Sequence, residues 1–393
     1  MAQYRNFDCL RLGAAVSVLF SHAFLIAEGT QAHEPLIRLT GNQGILGLLG
    51  VFVFFVISGF LVTRSFAAGR SAPRFVAARA LRILPALGVC LLLCAFLIGP
   101  LVTTLPLHAY LHDRRTWLFV AENVLMQASD ERLPGVAFTG NPVGVVVNGT
   151  MWSLRFEVYC YLLVLGLGLA RRLDLRSAAL IFLGSFLLNL FNLADRLGAA
   201  LKTGADLAGF LWLLPFFSAG MCLYFLGERA PPRAAVAALA ALGFLAATAF
   251  GHMLDSFALF GSYLTIFLAT SPRLRLPRAA RFGDVSYGLY IYGWPAEQLI
   301  ARLSGGHAPW TMVFAAGSAL ALLLALLSWH LVESPALRLK PRRNAAPAPL
   351  GPAGPAEGPA AVVPGSLTLA MSEVSPAPSL RAEGEDPGGR ARA

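Results

Sequence analysis

LRLGAAVSVLFSHAFLI (residues 10–26) is an apolar run that carries one arginine, Arg11, and eleven positions later one imidazole, His22. Crossing about 30 Å of hydrocarbon takes about 20 apolar residues in a helix. Runs of that length recur at 8–28, 44–67, 83–103, 151–170, 176–194, 206–227, 233–251, 254–270, 284–303 and 309–331. The pattern predicts an all-α integral membrane protein, a polytopic bundle of about ten transmembrane helices. Composition agrees: 56% of the residues are hydrophobic and 13% charged, against about 25% charged in a soluble domain. The first run is read as a retained helix rather than a cleaved signal, because Asp8 and Arg11 precede a long apolar stretch and nine more follow.

The net charge of +10 raises the question of nucleic acid, and the distribution of the charge answers it. With the N-terminus in the cytoplasm, inward loops hold 19 Lys and Arg and outward loops 7, setting aside Arg11, Arg155 and the residues after 344. That bias follows the positive-inside rule, so both termini are expected in the cytoplasm and no nucleic-acid partner is expected. The partner is a lipid bilayer, and the expected location is a bacterial cytoplasmic membrane. No sequence signature of an oligomer stands out.

Residues 1–340 form the expected transmembrane domain, with a long outward loop at about 104–150. Within that loop, YLHDRRTWLFVAENVLMQ (110–127) has the periodicity of a short helix at the membrane interface. Residues 341–393, rich in Pro, Ala and Gly, are expected to be a disordered cytoplasmic tail. The five cysteines sit in or beside apolar helices without a CxxC pair, so neither a disulfide framework nor a metal is expected.

An ionisable side chain inside a membrane helix is costly and raises a functional hypothesis. Arg11 lies near the inner boundary, and His22 about 16 Å farther along the same face. Arg11 can snorkel to headgroups or bind a ligand; His22 can be a satisfied neutral imidazole or a general base. In TMWSLRFEVYCYLL (150–163), Trp152 reads as an interfacial anchor, and Glu157 as either a partner of Arg155 or an orienting carboxylate for His22. In the inward loop RFVAARALRILP (74–85), Arg79 and Arg82 are three apart, share a face on a helical turn, and can meet anionic lipid or clamp phosphates. Ser58 and Gly59, at the end of GVFVFFVISGF (50–60), permit close approach of a ligand or another backbone. Ser286, Tyr287 and Tyr290 lie on the inner half of a late helix, and Glu333 at the inner end of the last. HAYLHD (108–113) carries a His-x4-Asp spacing found in glycerolipid acyltransferases, but topology puts it outside, away from cytoplasmic acyl donors.

In order, these segments resemble the membrane acyltransferase-3 family of bacterial O-acyltransferases. FDCLRLGAAVSVLFSHAF is similar to the family's arginine, ten residues, histidine motif; GVFVFFVISGFLVT to GVxxFFVxSGFLI; and RFVAARALRILP to F-x-x-R-R-x-x-R-I-x-P. MWSLRFEVYCY is similar to WSLxxExxxY, which singles out Ser153 and Tyr161, while DVSYGLYIYGWP and HLVESPALR are similar to SYxxYLxHxP and IExP. Two positions depart from the pattern: Ala78 stands where the first arginine of the inward pair is usual, and Gly293 where a histidine is common. No soluble esterase-like module of the kind fused to some relatives is expected.

The resemblance implies transfer of an acyl group, most often acetyl, from acyl-coenzyme A to a sugar hydroxyl of a surface polysaccharide at the opposite membrane face. It further implies that Arg11, Arg79 and Arg82 hold the donor, with Ser58, Gly59, Ser286 and Tyr287 around it. His22 is then the base supported by Glu157, or a covalent acyl relay. Two other functions fit the same residues: acylation of a small glycoside or macrolide, and a glycoconjugate transporter using His22 and Glu157 as a proton relay. The chain shows no internal repeat of the kind many transporters carry.

Overall fold

A computed structural model describes residues 5–126, 132–136, 138, 140–200, 204–229, 232–272, 274, 276–277 and 283–340. All of them fall within one unit, Met1–Arg343; the expected tail lies outside the described residues. The helices are α1 Arg5–Glu28, α2 Pro35–Thr40, α3 Leu46–Gly69, α4 Ala72–Val102, α5 Leu107–His112, α6 Arg114–Val124 and α7 Met151–Leu169. They continue with α8 Leu175–Leu190, α9 Leu193–Ala200, α10 Gly204–Arg229, α11 Ala234–Ala249, α12 Met253–Thr270, α13 Ser286–Leu303 and α14 Trp310–Arg338. Among the described residues the only β pairing is an isolated bridge between Thr103 and Val136.

Each of the ten predicted segments falls on helix. Seven (α1, α3, α4, α7, α10, α12 and α14) are long and apolar enough to cross a membrane, and the pair α8 and α9, bent by 87°, makes an eighth if it counts as one span. α11 is apolar along its 16 residues but shorter than these. α13 differs for another reason: most of its 18 residues are buried in the bundle, including Glu297 and Gln298. A helix surrounded by other helices can carry polar groups that a lipid-facing one cannot.

Two elements depart from the sequence reading. The inward segment 74–85 is not a loop but the first turns of α4, which begins eleven residues before the apolar run. Pro73 near its start presets the first turn, and the alanines that follow favour helix. The expected interface helix is divided by Asp113, whose carboxylate accepts the Arg115 amide at 2.9 Å and caps α6. α6 doubles back along α4. Trp117 packs on Phe96 with ring centres 4.8 Å apart, and Val124, Leu125 and Met126 reach Phe75, Val76 and Leu84 around an apolar groove. Thr116, Phe119 and Asn123, about one turn apart, form its buried stripe.

Small residues set the helix spacing around α3. A Cβ on Gly59 would strike the Phe217 carbonyl of α10, and one on Gly220 the Val56 carbonyl of α3. Phe52 and Phe216 stack beside them, 3.6 Å between centroids. Gly50 packs in the same way on Ala14 and Ser17 of α1. Close backbone approach of this kind holds helices together where lipid removes the hydrophobic driving force.

Candidate active site

α1 and α13 lie side by side and run in the same direction. Arg11 of α1 reaches Asp284, just before α13, at 3.0 Å. Farther along, Leu19 occupies the space that Gly293 leaves open, and the His22 ring meets Trp294 edge to face, with centroids 4.8 Å apart. The arginine and histidine of the opening segment therefore stand at two levels of one helix pair.

At the Arg11 level the charges are organised by Asp284. It accepts Arg11 at 3.0 Å, Arg82 at 2.7 Å and the Ser286 hydroxyl at 2.7 Å. Burial opposes its ionisation, but the two guanidinium groups and Ser286 outweigh that and hold the carboxyl below the usual carboxylate range. Arg82 also reaches Glu333 at 3.4 Å and lies over the rings of Tyr287 and Trp329. Glu333 is buried at the end of a π-helical turn, Trp329–Glu333, and accepts the Ser328 hydroxyl. The wide turn brings Glu333 inward, a local irregularity often found at functional sites.

Beside this cluster, Glu157 accepts the Ser58 hydroxyl at 2.9 Å and the Tyr161 hydroxyl at 2.7 Å. Arg79 lies over the Tyr161 ring, and its Nε is buried without a hydrogen-bond partner. A cavity of about 240 Å³ opens among these groups, lined by Arg11, Ser58, Arg79, Arg82, Glu157 and Lys340, with Asp284 and Tyr161 in its wall. A second, of about 40 Å³, shares Arg11, Phe54 and Glu157 with the first and continues to Ser153, Tyr287 and Tyr290. Ser153 and Tyr290 are hydrogen-bonded at 2.8 Å, and Tyr290 also donates to the Thr150 carbonyl. Trp294, one turn beyond Tyr290, is the residue against His22.

The expected pairing of Glu157 with His22 is not formed. Glu157 stands with Arg11, Ser58 and Tyr161, and His22 Nδ1 is buried without a hydrogen-bond partner. Nor does Arg155 take Glu157, because it pairs with Asp206 of α10 at 2.8 Å. The discrepancy is one of depth: helix α7 starts inside the bundle, which lowers Glu157 to the Arg11 level. Gly59 faces α10 rather than the cavity, so of the Ser58–Gly59 pair only Ser58 lines it. Trp152 packs between Trp212 and Phe156. In HAYLHD, Asp113 is taken by Arg115 and the His112 ring by the His108 carbonyl, so no His–Asp pair forms there.

Several residues of the site carry no sequence signal of their own. Asp284 is the first residue of DVSYGLYIYGWP, and only the fold shows two arginines converging on it. The segment 141–150 is pinned along α13. Asn141 and Gln298 hydrogen-bond at 2.7 Å, Gln298 donates to the Val143 carbonyl, Trp294 to that of Val146, and Asn148 to that of Ile291. The sequence NPVGVVVNGT (141–150) carries only Asn141, Asn148 and Thr150 as polar side chains and gives little sign of this docking.

A family model described as an acyltransferase domain matches residues 4–330. An O-acetyl transferase of Shigella phage Sf6 is 29% identical over 340 residues, covering 83% of this chain and 94% of that protein. Nodulation protein 10 of Rhizobium leguminosarum bv. viciae is 28% identical over 369 residues, covering 85% and 94%. No solved structure matches. With a many-helix membrane bundle, an arginine-lined cavity at one level and a buried imidazole at another, this chain belongs to the acyltransferase-3 family and is an acyltransferase enzyme.

Proposed function

We propose that the enzyme moves an acetyl group from cytoplasmic acetyl-coenzyme A to a sugar hydroxyl of an exported or surface polysaccharide across the bacterial cytoplasmic membrane. In this reading the chain makes ten passes with both termini inside. The observation that carries it is the string of two cavities, which begins among Arg11, Arg79, Arg82 and Lys340 and continues past Glu157 to Ser153 and Tyr290. The cationic end suits a polyphosphate head, and the narrow end suits an acyl-bearing arm. The O-acetyl transferase of phage Sf6 supports acetyl as the group and oxygen as the acceptor.

His22 is the proposed catalytic base. Its Nδ1 has no protein partner; in the tautomer protonated at Nε2 it offers its lone pair to an incoming hydroxyl, and Trp294 packs against the ring. As the acceptor oxygen attacks the thioester carbonyl, its proton passes to the imidazole, the carbon–sulfur bond breaks, and coenzyme A leaves as the thiol after taking up a proton. Glu157 serves the donor side instead, fixing the Ser58 and Tyr161 hydroxyls at the cavity wall. Asp284 and Ser286 hold Arg11 and Arg82 in place.

The test is label transfer. Membranes containing the protein and given acetyl-labelled coenzyme A are expected to place label on glycan as a base-labile ester. Unconsumed donor beside moved glycan would identify a transporter, and label on a small glycoside alone would change the acceptor class.

A further inference from the structure

The cavity at the Arg11 level carries more positive charge than its carboxylates match. Arg11 and Arg82 share Asp284, and Arg82 has Glu333 as well. The other two cations that line the cavity, Arg79 and Lys340, form no salt bridge among the described residues. Arg79 is half-buried, with Nε unpartnered. Lys340 is exposed, two residues beyond the end of α14, at the edge of the same cavity.

We infer that Lys340 is a donor-binding residue, and that its ammonium acts with the Arg79 guanidinium to hold phosphate oxygens of an anionic donor at the cavity's open end. The inference rests on the coenzyme A reading above and divides labour among the four cations. Arg11 and Arg82 are committed to Asp284 and shape the wall. Arg79 and Lys340 line the same cavity and repel each other. A guanidinium offers a planar fork to two oxygens, and a lysine offers a compact charge on a flexible stem. That combination suits a phosphate ester better than a carboxylate, which a single arginine can satisfy. Partial desolvation and the neighbouring Arg79 and Arg82 push the Lys340 ammonium below its ordinary range, with Asp284 opposing. An anion at this place relieves the repulsion.

The experiment is equilibrium binding of coenzyme A itself to the purified full chain in detergent, which needs no acceptor. Lys340→Ala is expected to raise Kd about fivefold, Lys340→Glu to raise it further, and Lys340→Arg to stay near the parent value. Arg79→Ala is expected to raise Kd by a larger factor, and added salt to narrow the Lys340→Ala difference. If Arg79→Ala weakens binding while Lys340→Ala and Lys340→Glu leave it unchanged, the role given to Lys340 is wrong and the donor site stands. If the unaltered protein does not bind coenzyme A, the donor reading falls and this inference with it. Thermal unfolding of each variant separates lost binding from lost folding.

Discussion

At the residue scale, the site depends on a carboxylate, Asp284, that the sequence does not announce. Asp284 holds two guanidinium groups in a largely buried setting, and removing one member of such a cluster leaves the others uncompensated. Asp284→Asn is therefore expected to lower stability by about 3 kcal/mol, read as a fall in melting temperature in detergent. The pH dependence has a definite sign. The Asp284 carboxyl is held below its usual range in the folded protein, so its contribution is full above an unfolded value of about 4 and is lost as pH falls toward the depressed folded value. The parent protein should lose stability over that acid interval, and Asp284→Asn should show a shallower loss. Equal acid slopes in the two proteins would mean that Asp284 is not the linked group.

At the scale of elements, the glycines of α3 and α10 fix how closely the cavity wall is built. A Cβ at Gly59 would meet backbone of α10, whereas at Gly88 of α4 it would meet nothing within 4 Å. Gly59→Ala should cost about 1–3 kcal/mol through forced separation of the helices. Gly88→Ala should be neutral or stabilising by up to about 1 kcal/mol, because alanine is the better helix former. Comparable melting temperatures for the two variants would count against close α3–α10 packing. Segment 74–85 looks like a loop in the sequence for a reason at the same scale. Its arginines interrupt the hydropathy that marks a membrane helix, yet they are good helix formers and simply extend α4 below the apolar run. α13 is the reverse case, a helix legible in the sequence whose polar residues are explained only by its burial among other helices.

For the whole molecule, long apolar runs locate ten helical segments, seven of them long and apolar enough to cross a membrane, because a membrane helix must satisfy its backbone internally and so leaves a long, uniform signal. The ordered motifs pointed to Arg11, Arg79, Arg82, Glu157 and Ser58, and the fold brings these five to one cavity. What could not be read was depth. Helix α7 starts inside the bundle and α4 begins early, so counting residues from an assumed boundary misplaced Glu157 beside His22. Asp284 and Lys340 could not be singled out from sequence, because the cations they act with are distant along the chain: Arg11 and Arg82 lie 273 and 202 residues from Asp284. The proposed orientation is testable in a chain whose five native cysteines are replaced by alanine. Ser71→Cys and Leu339→Cys should react with an impermeant maleimide only after permeabilisation, and Leu107→Cys in intact cells. Labelling of the Leu339→Cys variant in intact cells would reverse the orientation.

The central claim is that acyl transfer takes place at His22 while the donor is held at the Arg11 level, about 16 Å away along α1. The most direct test is His22→Ala in the full chain, measured for coenzyme A binding and for transfer of labelled acetyl to glycan. The account predicts donor affinity within about twofold of the parent and loss of transfer. Retained transfer in a folded, donor-binding His22→Ala protein would contradict it.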